Sequence, residues 1–233
     1  MSAPTHYEVL PTKPPPKVAS GDKPYPARTE VLPRQLDAVT PAWLTGLLQH
    51  RYPGIVVRDM QRVDVRNGHT TKLRLRLDLN EAGREAGIPA AVCLKSNWSE
   101  GFDSGDICEL EARFYFHIAN QLSVPAPKAY YSDWDADGSG QGLVVMEDLV
   151  ADGGRFGHST DHLGVDGVAR ALQTLAGLHG AWWDDPKLRE HRWLPTSMRT
   201  YIDNEQLRMM WAYVEANLPK PEYQAILPRW MLE

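Results

Sequence analysis

The sequence predicts an α+β fold: a five-stranded antiparallel sheet with one long helix inserted after its third strand, followed by a largely helical C-terminal part. Three observations predict it. Leu73, Leu75, Leu77 and Leu79 alternate with Lys72, Arg74, Arg76 and Asp78, the period of a strand with one face buried. Ala90 to Leu94 is an unbroken apolar run closed by Lys95, as in a strand covered on both faces. Between Asp106 and Leu122, the residues Leu110, Phe114, Ile118 and Leu122 recur at helical spacing, with Asp106 placed to cap the helix.

Residues 1–27 contain seven prolines and little that could enter a core, so they read as a flexible, polyproline-like tail. A short amphipathic helix follows from Asp37 to Leu48, with Thr40 as cap, Pro41 in the first turn and Trp43, Leu44, Leu47 and Leu48 on its apolar side. Ile55–Val63 and Thr70–Leu79 are paired strands, joined by the turn Arg66 to Thr71, which contains Gly68. A polar loop with Gly83 and Gly87 leads to the strand ending in Lys95, and a second loop, Asn97 to Gly105, leads to the long helix. Pro125 and Pro127 end that helix, and Lys128–Asp133 and Gly142–Glu147 are the last two strands. Beyond them, Val168, Ala171, Leu172, Leu175 and Leu178 mark a strong helix over Gly164–His179 that runs on to Trp183. Met198–Leu218 is helical as well, and Tyr223–Leu232 begins another helix. The division is thus a tail (1–27), a sheet-containing domain (28–148) and a helical part (149–233).

Composition narrows the class. An apolar content of 42% and eight tryptophans suffice for a globular core. A net charge of −5 with no basic stripe argues against a nucleic-acid partner. No window approaches the roughly 18 apolar residues of a membrane helix, and the N-terminus lacks a secretory layout, so a cytoplasmic protein without a membrane partner is expected. Cys93 and Cys108 are expected to be reduced and structural.

Two motifs invite a metal reading and fail it. Asp133, Asp135, Asp137 and Gly138 open like a calcium loop, but position twelve is Val144 and no helices flank it, so the stretch is a tight turn. His158 and His162 lie four apart in a glycine-rich loop without a third ligand.

Lys95 and Glu111 carry the chemistry. A lysine closing a buried strand, held by a glutamate on the next helix, is how protein-kinase-like folds aim a positive charge at nucleotide phosphates. The β-β-β-α-β-β order is that of such a fold's N-terminal lobe. Together with it, Glu111 to Tyr115, Val124 to Pro127, Val145 to Leu149, and Leu172 to His179 with Trp182 and Trp183 resemble the aminoglycoside phosphotransferase superfamily, including its ecdysteroid-kinase-like members, over residues 38–200.

The resemblance implies a bilobal kinase-like fold that transfers the ATP γ-phosphoryl group to a hydroxyl of a small molecule. It implies that Lys95 meets the nucleotide phosphates and Glu111 holds it. Gly68 would lie in the turn that covers the phosphates. Glu147 and Leu149 would meet the adenine edge through their backbone. The family's catalytic His-Gly-Asp loop and magnesium-binding aspartate have no counterpart: His179-Gly180-Ala181 lacks the acid. No catalytic or metal residue is therefore assigned, and magnesium is expected only with a C-terminal half beyond Glu233. The expected role is the N-terminal portion of a small-molecule kinase, with Leu172, Leu175, Trp211 and Trp230 left short of partners. A non-catalytic nucleotide-binding or interaction module is the alternative, and an α+β domain with a structural Lys–Glu pair is the third.

Overall fold

The computed structural model describes residues 22–98, 106–157, 161–194 and 204–225. Its strands are β1 (Val57–Arg66), β2 (Thr71–Leu79), β3 (Ala91–Ser96), β4 (Ala129–Trp134) and β5 (Gly142–Glu147). They form one open antiparallel sheet in the order β1-β2-β3-β5-β4. The fold is α+β, as the alternation on β2 predicts: Leu73, Leu75, Leu77 and Leu79 are all buried.

The helices are α1 (Pro41–Gln49), α2 (Glu81–Glu85), α3 (Ile107–His117), α4 (Gly164–Trp182), α5 (Asn204–Asn217) and α6 (Pro221–Gln224). Thr40 caps α1 by accepting a hydrogen bond from the Trp43 N–H at 3.2 Å. Leu44, Leu47 and Leu48 of α1 then join the β2 leucines, Ile55 and Val57 in the main core. Helix α3 covers the other end of the sheet. It carries the chain from β3 to the far edge, where β4 begins, and β5 returns between them.

Four expectations need correction. The stretch with Gly83 and Gly87 is not all loop: Asn80 accepts a hydrogen bond from the Gly83 N–H at 3.1 Å and starts α2. Strand β3 is not fully buried on both faces. Val92, Leu94 and Ser96 are buried, but Cys93 and Lys95 are half-buried because their side borders a cavity. The face that α3 buries is rotated from the Leu110–Phe114 stripe, and Asp106 makes no side-chain cap. Cys108, Ala112 and Tyr115 are buried there instead, beside a buried Glu109–Arg113 pair. That face is the inner one because β5 runs hard against the backbone at the start of the helix. A Cβ on Gly142 would collide with the Cys108 carbonyl oxygen.

The last correction concerns the proline-rich tail. Residues 1–21 lie outside the described residues, but 22–27 are packed rather than free. Tyr25 stacks on Tyr131 at 4.8 Å, and Asp22 bonds Arg113 at 2.8 Å. Directly after them, Arg28 is buried and forks onto Asp133 at 2.6 and 3.2 Å, with Asp135 at 2.8 Å. The calcium-like turn therefore holds a guanidinium, which explains two of its three aspartates.

The chain divides into two compact units, Val18–His191 and a second that includes Arg192–Glu233. In the first, α4 buries none of its residues, and Val165, Val168, Leu172 and Leu175 are exposed along it. In the second, α5 exposes Leu207, Met209, Met210 and Trp211. Trp230 lies outside the described residues. No described helix is long and apolar enough to cross a membrane.

Candidate functional site

The polar face of β2 and the half-buried face of β3 form one wall of a cavity of about 450 Å³. Helix α3 contributes Glu111 and Tyr115, and the exit of β5 supplies Met146 to Val150. The Lys95 Nζ lies 2.6 Å from Glu111 Oε1, so the strand–helix pair forms. Both side chains are about one-fifth exposed, at 22% each. A lysine ammonium carries three donors. This contact uses one, and Lys95 borders the cavity.

Glu147 and Leu149 also line the cavity. The Glu147 carboxylate is already engaged, accepting from the Lys128 N–H at 2.9 Å, while its own N–H donates to the Lys128 carbonyl at 2.9 Å. These bonds clamp the ends of β4 and β5 together. The Leu149 carbonyl accepts from the Gly154 N–H at 2.7 Å, which closes a tight loop. A Cβ on Gly154 would sit 2.5 Å from that carbonyl oxygen, so the loop needs glycine there.

Gly68 stands apart from the other four. It is exposed at the tip of the β1–β2 hairpin and does not line the cavity, whereas its neighbours Arg66 and Asn67 do. A Cβ at Gly68 would meet only the Thr70 carbonyl oxygen, at an ordinary 3.7 Å. Space does not demand glycine at this turn.

Sequence reasoning overlooked the polar residues of the wall. Arg74 Nε donates to both Asp148 carboxylate oxygens at 2.9 Å. Asp148 is buried, and its Oδ1 also accepts from the Val150 and Ala151 N–H groups at 3.2 and 3.4 Å. This aspartate thus ties β2 to the exit of β5 and shapes the turn beyond it. A signal existed: the alternation that buries Leu73 and Leu75 puts Lys72 and Arg74 together on the opposite face.

The wall's protonation states follow from burial. Desolvation, helped by Asp148, pushes the Cys93 thiol up to about 11, so it stays protonated and a poor nucleophile at neutral pH. Burial first and Glu111 second push the Tyr115 phenol up to about 12. The Asp148 hydrogen bond is the main cause that raises Arg74 above its ordinary value.

Among the described residues, no three His, Cys, Asp or Glu side chains converge on a point that could hold a metal ion. His158 lies outside them. Cys93 is a free thiol. Comparison with protein-family models, curated proteins and solved structures finds no match to this chain.

Proposed function

We propose that the cavity binds ATP and that the chain is the nucleotide-binding portion of a kinase-like phosphotransferase acting on a small-molecule hydroxyl. One observation carries this reading: a lysine at a strand end, held at 2.6 Å by a helix glutamate, opens onto a cavity whose opposite side is a strand exit. A phosphate chain needs fixed positive charge in a partly desolvated place, and Lys95 supplies it. The apolar side chains of Met146 and Leu149 offer faces for a flat base. Glu111 keeps the ammonium aimed when the cavity is empty, which lowers the ordering cost of binding.

No residue of this chain is given the role of catalytic acid or base. The one near-match to the family's catalytic motif, His179-Gly180, lies within α4 rather than on a loop. That placement favours a second reading, nucleotide binding without transfer by these residues. Among the described residues no group of three His, Cys, Asp or Glu side chains converges to hold a metal ion, and no step is assigned to magnesium.

Calorimetric titration of residues 1–233 with ATP tests the first point. Saturable one-to-one binding that Lys95→Met weakens by about tenfold or more is expected, the effect of removing a charge-assisted hydrogen bond. Equal binding by wild type and variant would reject the cavity as the nucleotide site. Radiolabelled ATP with a panel of amino sugars, steroids and amino alcohols separates the readings, because only the first gives a labelled acceptor.

A further inference from the structure

The cavity wall holds more positive charge than one lysine needs. Arg66, Lys72 and Lys95 are direct register partners across β1, β2 and β3, so they form one row on the cavity side of the sheet. Directly opposed residues on antiparallel strands have Cβ atoms about 4.5–5.5 Å apart, and like charges placed so repel. The neighbours in this patch are each neutralised: Lys95 by Glu111, Arg66 by Asp64 at 3.0 Å, and Arg74 by Asp148. Lys72 is exposed, and among the described residues no hydrogen bond or ion pair holds it. It is therefore the one cation of the row left with an uncompensated charge facing Lys95.

We propose that Lys72 is a second phosphate-binding cation, gripping a polyphosphate chain beside Lys95 rather than replacing it. This rests on the nucleotide reading of the cavity and adds to it a second residue that grips the phosphates, one that favours a di- or triphosphate over a nucleoside or monophosphate. Two opposed ammonium groups, of which only Lys95 has a carboxylate partner, are unfavourable when empty and are relieved by an anion that bridges both. A single phosphate satisfies one lysine. A chain of two or three phosphates spans the pair. Glu111 sets Lys95's direction, while Lys72, on its own four-carbon stem, follows the ligand.

The test titrates the full chain with ATP, adenosine and inorganic tripolyphosphate, using wild type, Lys72→Met, Lys95→Met and Arg76→Met. Arg76 is an exposed cation on the same face of β2 that does not line the cavity, so it controls for general charge loss. Lys72→Met is expected to weaken ATP and tripolyphosphate by about tenfold and leave adenosine unchanged, with Arg76→Met within about twofold of wild type. Lys72 is exposed, and circular dichroism verifies that the variant is folded. If ATP binding depends on Lys95 but not on Lys72, the inference is wrong and the nucleotide reading stands. If tripolyphosphate binding depends on Lys72 but a nucleoside adds no affinity, the anion pair stands and the nucleotide reading falls. Absence of wild-type binding to both ATP and tripolyphosphate overturns both.

Discussion

On one side of α3, Arg113 donates to Glu109 from two nitrogens at 2.9 and 2.8 Å and to Asp22 at 2.8 Å, with its guanidinium 4.4 Å from the Trp134 ring. On the other side, Glu111 meets Lys95 through a single 2.6 Å contact at the edge of a cavity. The arginine side chain is fully buried, at 0%, while the lysine is 22% exposed. The first pair has every direction filled by protein; the second leaves donors over. That difference separates a pair that holds the fold from a pair able to hold something else. It also shows why an ion pair alone says little about function: within one helix, two glutamates two residues apart hold their partners in opposite settings, one enclosed and one at a cavity.

The largest expected effect breaks the buried pair. Arg113→Met leaves Glu109 a buried carboxylate without its partner, and removing one member of such a pair costs about 3–5 kcal/mol. Urea denaturation monitored by tryptophan fluorescence measures it. A double variant that also carries Glu109→Leu is expected to recover a large part of the loss, because two apolar side chains need no compensation.

Next comes the seam between α3 and β5. Gly142→Ala brings a methyl against the Cys108 carbonyl and the Glu109 Cα, both backbone atoms that cannot rotate away. A loss of about 1–3 kcal/mol is expected, as for other overpacked sites. Because the seam also positions Glu111, nucleotide affinity should fall in the same variant. A stability loss without an affinity change would show that the two sides of α3 are independent.

Lys95→Met sharpens the contrast from the other direction. Its pair is partly solvated, so the expected stability change is within about 1 kcal/mol, while ligand affinity falls by the larger factor given above. A stability loss as large as that of Arg113→Met would mean that Lys95 is structural and would remove the ground for a nucleotide site.

The smallest effect concerns His117, at the C-terminal end of the same helix. Burial, with the neighbouring His191 second, lowers its pKa below the usual histidine range. A depressed base is favoured neutral in the folded state, so the unfolded chain takes up the proton first. Its contribution is present above about pH 6.5 and is lost as the pH falls below that value. Melting temperature should therefore fall on mild acidification, with a shallower slope in His117→Gln.

Local pattern determined much of this protein from the sequence alone. The leucine alternation of β2 named its buried face, Thr40-Pro41 placed the start of α1, and the order of strands around one long helix gave the antiparallel α+β class. The Lys95–Glu111 pair was legible too, because strand end and helix start leave few places for either charge. Other features depend on residues far apart in the chain. Nothing near Arg28 announces that it will lie between Asp133 and Asp135, and the proline content of its neighbourhood points the other way. Helix α3 has apolar residues on more than one side, so its own periodicity could not choose the buried face. The close approach of Gly142 did, by bringing the Cys108–Glu109 backbone directly against β5. The cavity's surplus charge is tertiary for the same reason: Lys72 and Lys95 become neighbours only through strand register, which hydrogen bonds between β2 and β3 set and composition does not.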